Sequence, residues 1–222
     1  MSIFSKILGA EPNRKSRLRD EQGELLPLSD LPLIPVRLKE RLARLFDVYP
    51  EKPWWPEQAK RKIADILRPN WMVVEFGSGM STLWLAPRVR RVVTVEANND
   101  WASKISNQLQ ARGLNNVEME IFSVASYNPN DLELDEAPDF VIVDAERRRD
   151  CIVWAFRYLK PGGYLYLDNA DRPGNDSGSD AYQARSELLR LASERNAQVE
   201  FFRGIPPGLL NPAQGALVRI PS

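Results

Sequence analysis

The sequence predicts an α/β fold, a mainly parallel sheet covered by helices on both faces, and three observations predict it. From Trp71 onward, short apolar β-rich runs alternate with amphipathic stretches of helical period. The helical stretches carry end signals, polar capping residues before them and Gly or Pro after them. Beyond Leu167 the order changes to a long polar loop, one helix and two strands joined by Pro- and Gly-rich sequence, which reads as a closing antiparallel pair.

The first 56 residues stand apart: they are rich in Pro and basic residues and lack a strand pattern of any length. They are expected to form an N-terminal appendage (1–56) to a main domain spanning 57–222. Within them Ile3, Phe4, Ile7 and Leu8 recur at helical spacing, and Val36 to Val48 places Leu38, Leu42, Leu45 and Phe46 on one face. Both apolar stripes are expected to dock. Pro53-Trp54-Trp55-Pro56 follows, then a helix from Glu57 to Leu67 that starts after one proline and stops before Pro69.

The main domain then offers strands at Met72 to Phe76, Val92 to Val95, Val117 to Phe122, Phe140 to Val143 and Tyr164 to Leu167, with the closing pair at Val199 to Arg203 and Ala216 to Ile220. Asp100 is the expected N-cap and Gly113 the C-terminal stop of a helix over Trp101 to Arg112. Cys151 to Leu159 reads as a helix ended by Pro161-Gly162-Gly163, and a last helix runs from about Asp180 to Arg195. No internal repeat or low-complexity tract interrupts this order.

Composition narrows the chemistry. The 222 residues, 43% hydrophobic and 27% charged, suit one globular unit with a full core. Thirty Lys+Arg balance thirty Asp+Glu, so no global field draws the chain to nucleic acid or to an anionic membrane, and no nucleic-acid partner is expected. A single cysteine, Cys151, excludes a disulfide framework and fits a reducing, cytoplasmic compartment. No apolar run reaches the roughly 18 residues of a spanning helix, and Met1 to Ala10 lacks the pattern of a secretory signal. The absence of histidine removes Ser-His-Asp triads, imidazole bases and the usual zinc, copper and non-haem iron sites. Carboxylates, Lys, Arg, Tyr, Ser or a bound cofactor must do the work.

The strongest motif is Val73-Val74-Glu75-Phe76-Gly77-Ser78-Gly79-Met80-Ser81-Thr82, a buried strand ending near an acid, then a Gly-x-Gly turn that opens a short helix. Gly77 and Gly79 let the backbone bend and approach a bound molecule where a Cβ would collide. Glu96, at the end of the next strand and 19 residues after Gly77, can accept the hydroxyls of a ribose. These features describe a nucleoside pocket. A dinucleotide site wants a third small residue where Thr82 stands, and Glu75 would repel a pyrophosphate while suiting an ammonium group.

Here the stretch resembles the class I S-adenosylmethionine-dependent methyltransferases, whose first motif has the form acid-x-Gly-x-Gly. The resemblance covers roughly Trp71 to Asn169 and implies a Rossmann-like, doubly wound, mainly parallel seven-stranded sheet with an antiparallel C-terminal strand. It implies cofactor contacts at Glu75, Gly77, Ser78, Gly79, Ser81, Thr82 and Glu96, with Ser123 and Val124 at the adenine edge and Asp144 on the acceptor side of the cofactor.

Asp144 ends the fourth strand, and Asp168-Asn169 ends the fifth, at the edge where open α/β sheets bind ligands. The pairing is similar to the metal-dependent O-methyltransferases of the catechol and caffeoyl-CoA type. That resemblance implies Asp144, Asp168 and Asn169 as ligands of Mg²⁺ or a similar divalent ion, which would hold the hydroxyl of a small-molecule acceptor and lower its pKa. The metal-free alternative has Asp144 touch the substrate or cofactor while Asp168-Asn169 merely ends its strand. Three residues after Asp144 those families place a lysine, and this chain has Arg147, which cannot be a base but can stabilise an oxyanion. Asp144 and Arg147 are therefore the expected catalytic pair.

Arg147-Arg148-Arg149 stands where a helix should begin, and can face an anionic acceptor or form a solvated run with Glu146 and Asp150. Trp54 and Trp55 can wall an acceptor or pack on the sheet. The loop Ala170 to Asp180 reads as a lid or as an excursion without a role. Two rivals stay beside the methyltransferase reading: a nicotinamide-dependent oxidoreductase, which lacks its Tyr-Lys or His arrangement here, and a catalytically silent binding module. The sequence leaves the oligomeric state and the acceptor atom open.

Overall fold

The computed structural model describes residues 16–123, 127–172 and 180–222. The helical stripe at Ile3 to Leu8, Val124, and residues 173–179 of the polar loop lie outside the described residues.

The strands are β1 Met72–Phe76, β2 Arg91–Glu96, β3 Val117–Ile121, β4 Phe140–Val143, β5 Tyr164–Leu167, β6 Gln198–Gly204 and β7 Ala213–Arg219. They form one seven-stranded sheet in the order β3-β2-β1-β4-β5-β7-β6. The first five are parallel, and β7 runs antiparallel to both β5 and β6. The order reverses beside β1, and the carboxyl edge at such a switch point is where open α/β sheets bind ligands.

The helices are α1 Ile34–Ala43, α2 Glu57–Ile66, α3 Met80–Leu85, α4 Asn99–Ala111, α5 Arg148–Tyr158 and α6 Ala181–Glu194. Strand alternation sorts the core into two layers. Val74 and Phe76 of β1 join Val141, Val143, Trp154 and Leu188 under α5 and α6. Val73 instead joins Ile142, Tyr166, Ile63 and Trp55 under α2. Glu75 shares the parity of Val73, so its carboxylate is carried into an apolar layer. A smaller cluster, Met80, Leu83, Ile105 and Leu109, locks α3 to α4.

Two local expectations need correction. Asn98, not Asp100, caps α4: its side-chain oxygen accepts from the Trp101 N–H at 3.0 Å, and the helix begins at Asn99, two residues before the Trp101 start that an Asp100 cap implies. The stripe Leu38, Leu42, Leu45 and Phe46 does not dock on the described residues, and Phe46 is 80% exposed. Arg37 is the buried residue of α1 instead, its Nε donating to the Ile205 carbonyl at 2.9 Å and its guanidinium pairing with Glu40 and Glu57.

The N-terminal stretch is sewn to the sheet by carboxylates. Buried Asp20 accepts from Arg203 Nε at 2.7 Å, buried Asp30 accepts from the Ile205 N–H at 3.0 Å, and buried Asp171 accepts from the Gln214 and Glu21 N–H groups at 3.0 and 3.1 Å. No helix of the described residues is long and apolar enough to cross a membrane.

Candidate active site

The site begins with a turn. Gly77 has φ +97°, and its N–H donates to the Val95 carbonyl at 2.8 Å. A Cβ there would stand 2.3 Å from the Asp144 carbonyl oxygen, so the β1 and β4 loops can meet only over glycine. Gly79 differs. Its backbone is extended, and a Cβ would meet Ser81 Oγ at 3.7 Å and Trp101 Nε1 at 4.0 Å, ordinary contacts. The protein itself does not need a glycine there, and the room it leaves suits a ligand pressed against the turn.

Thr82 and Glu75 form the floor. Thr82 is fully buried; its hydroxyl accepts from the Gly79 N–H at 2.9 Å and donates to Glu75 Oε2 at 2.5 Å. Glu75 is fully buried, and its Oε1 finds no hydrogen-bond partner among the described residues. Burial pushes the Glu75 carboxyl up to about 8, with the Ser81 and Thr82 hydroxyls offsetting part of the rise. A buried carboxyl oxygen without a donor is costly and is the kind of atom a cationic ligand group would satisfy.

Glu96 closes the turn from β2. Its Oε2 accepts from the Ser78 N–H at 3.0 Å and Ser78 Oγ at 2.9 Å, and its Oε1 accepts from the Ala97 and Asn98 N–H groups, both at 2.9 Å. Three of these four donors are backbone, so the carboxylate is fixed against the glycine turn. Ser123 lies just past β3, one residue beyond Phe122, whose N–H bonds to the Glu96 carbonyl at 3.1 Å.

Sequence reading missed an aromatic cluster beside the turn. Trp101 donates from Nε1 to the Ser78 carbonyl at 2.8 Å, and Tyr49 bridges Trp101 and Trp54 with ring centroids 5.6 and 5.7 Å away. Arg44 lies 4.3 Å above the Trp54 ring. Trp55 is different, packed in the core 4.9 Å from the Tyr166 ring. A tryptophan in the first turn of a helix that follows Glu96 was the available signal, but residues 49 and 54 meet it only through the fold.

The acceptor side is organised by Arg148. Arg147 has φ +53°, a left-handed residue just before α5, and this reversal sends the two neighbouring arginines in different directions. Arg147, the expected catalytic cation, turns instead to Asp150, 2.6 Å away, and to the Tyr127 carbonyl. Arg148 reaches inward: Nη2 donates to Asp144 Oδ1 at 2.7 Å, Nε to the Ala145 carbonyl at 2.9 Å, and Nη1 to the Asp168 carbonyl at 2.8 Å and Asn169 Oδ1 at 3.4 Å. Asp168 is 5% exposed and accepts from Tyr166 Oη at 3.4 Å; burial and the neighbouring Asp144 push its carboxyl well above the usual range.

The expected metal set does not fit a divalent ion in this arrangement. One guanidinium already bonds the Asp144 and Asn169 side-chain oxygens, so a hard ion would have to share these ligands with a fixed cation. Cys151 is core, its thiol pushed up to about 12 by burial.

No family model matches this chain, and no curated protein matches it by sequence. Solved structures do match. The O-methyltransferase TomG from Streptomyces achromogenes, in complex with SAM, superposes with a TM-score of 0.63 at 21% identity, covering 82% of this chain and 87% of that one. The O-methyltransferase from Bacillus cereus, in complex with SAH, gives 0.62 at 23% identity over 85% and 90%. An rRNA methylase from Streptococcus thermophilus gives 0.58 at 17% identity over 74% and 95%. The chain therefore has the Rossmann-like methyltransferase fold, a fold shared by proteins named O-methyltransferases and by one named an rRNA methylase.

Proposed function

We propose that the chain is an S-adenosylmethionine-dependent methyltransferase acting on a hydroxyl of a small molecule. The observation that carries this reading is Glu75 Oε1, a fully buried carboxylate oxygen without a donor among the described residues, beneath a glycine turn. An ammonium group supplies both the charge and the hydrogen bonds that this atom lacks. The rival nicotinamide dinucleotide would bring a pyrophosphate to the same acid.

In this reading Glu75 holds the amino-acid end of the donor, and the bare Gly79 gives its backbone side room. Glu96 receives the ribose hydroxyls, for which Ser78 Oγ, the one side-chain donor among its four, rotates away. Gly77, Ser78 and Ser81 shape the turn, Thr82 holds Glu75 in place, and Ser123 with Val124 borders the adenine. When bound, S-adenosylmethionine supplies a methyl group on a sulfonium; the acceptor oxygen's electron pair forms the new carbon–oxygen bond, and the carbon–sulfur pair stays on sulfur. Asp144, with a side chain 42% exposed at the carboxyl end of β4, takes the acceptor's proton. Alignment of acceptor and donor does most of the remaining work.

The formal net charge of zero supports a small molecule over RNA as acceptor, and the lone cysteine supports a cytoplasmic setting. Calorimetric titration with S-adenosylmethionine, S-adenosylhomocysteine and NAD tests the donor: the first two should bind and NAD should not. Transfer of a labelled methyl group to a panel of hydroxyl compounds then tests the reaction, and donor binding without transfer to any acceptor would favour the silent binding module.

A further inference from the structure

We infer that Arg148 is a built-in cation standing where the metal-dependent enzymes that this chain resembles hold a divalent ion, and that the acceptor oxygen is positioned and stabilised by its guanidinium. The inference rests on the acceptor site proposed above. It starts from the left-handed Arg147, which lets Arg148 turn back over the sheet edge. Its side chain, only 13% exposed, is anchored at Nε and Nη1 by the Ala145 and Asp168 carbonyls, so it is a fixed charge rather than a mobile surface group.

The guanidinium then takes the oxygens that would have to ligate an ion. Nη2 bonds Asp144 Oδ1 and Nη1 lies 3.4 Å from Asn169 Oδ1. A hard dication prefers six or more oxygens around it and would have to share these two with a permanent positive charge a few ångströms away. Arginine cannot release a proton to relieve that repulsion.

A guanidinium has five N–H groups, and the four bonds described use one on Nε, two on Nη1 and one on Nη2. The fifth, on Nη2 beside the half-exposed Asp144, is the donor available to an acceptor oxygen. Asp144 can then take the acceptor's proton from the same side on which Arg148 stabilises the negative oxygen that results. The acceptor class this pair favours is a hydroxyl acidic enough to ionise without a metal, such as a phenol.

The test pairs metal binding with a variant series on the full chain. Electron paramagnetic resonance of Mn²⁺ titrated with the wild-type protein should show only free ion up to about 1 mM, the weak end of protein sites for hard cations, and methyl transfer should be indifferent to EDTA and to added Mg²⁺. R148A should lower kcat about 100-fold, the usual cost of one oxyanion donor, while S-adenosylhomocysteine affinity stays within about threefold as evidence of an intact donor half. R148K should recover part of kcat. Stoichiometric Mn²⁺ binding by the wild type, or R148A with undiminished kcat, would overturn the inference. The Mn²⁺ measurement needs no variant to fold, and failure of the wild type to bind S-adenosylmethionine would defeat the methyltransferase reading separately.

Discussion

On the β1 side of the carboxyl edge the site is shaped by backbone: a left-handed glycine, a carboxylate fixed by two consecutive N–H groups, and a threonine that links turn to strand. On the β4 and β5 side it is shaped by charged side chains that bind one another, with Arg148 touching Asp144, Asn169 and two carbonyls. The first kind of site is carried by residue types at fixed spacing and tolerates little change without loss of fold. The second depends on where a single arginine is aimed, so the same Asp and Asp-Asn pattern can be assembled around a different cation.

The two glycines of the β1 turn should respond most strongly, and differently, to substitution. Gly77→Ala places a Cβ 2.3 Å from the Asp144 carbonyl at a positive φ, and should cost about 3 kcal/mol or more in urea unfolding, or prevent folding. Gly79→Ala meets only ordinary contacts and should cost about 1 kcal/mol or less, yet lower donor affinity at least about tenfold, roughly 1.4 kcal/mol. Equal stability losses at both positions would mean that Gly79 serves the fold rather than a ligand.

The pH dependence of stability comes next in size. Glu75 has a folded-state value of about 8 against an ordinary carboxyl value of 4.5, so the folded protein holds a proton that the unfolded chain releases. Stability should therefore fall as pH rises from about 4.5 towards about 8, by up to about 1.4 kcal/mol per pH unit, and level off above it. Glu75→Gln should lack that slope. Urea unfolding of both proteins at pH 6, 7, 8 and 9 checks this, and parallel curves would show that Glu75 is not the buried acid described. The smallest effect belongs to Trp101→Phe, which removes the 2.8 Å bond to the Ser78 carbonyl and should cost about 1 kcal/mol in stability, with a smaller loss of donor affinity.

The strands were legible because β-branched apolar runs bounded by Gly, Pro and Asn admit few alternatives, and the Gly77 turn because its spacing to Glu75 and Glu96 is chemical as well as geometric. Asn98 was hidden behind Asp100 because both are good caps, and which one serves depends on where the first helical turn closes. That Arg148, and not Arg147, bonds Asp144 was not legible at all, since nothing in three consecutive arginines announces a left-handed first member. The stripe from Leu38 to Phe46 shows the limit of periodicity: the pattern marks an apolar face, but packing against the sheet was decided by Arg37, whose guanidinium found the Ile205 carbonyl and two carboxylates. The Tyr49, Trp54 and Trp101 cluster joins residues that no local window contains.

Calorimetric titration of S-adenosylmethionine into the wild type and Glu75→Gln at pH 7.5 measures directly whether Glu75 holds the donor. Wild-type binding with at least about tenfold weaker binding by the variant, roughly 1.4 kcal/mol for a lost charge-assisted contact, is the result expected. Equal affinities for the donor, with both proteins folded, would contradict it.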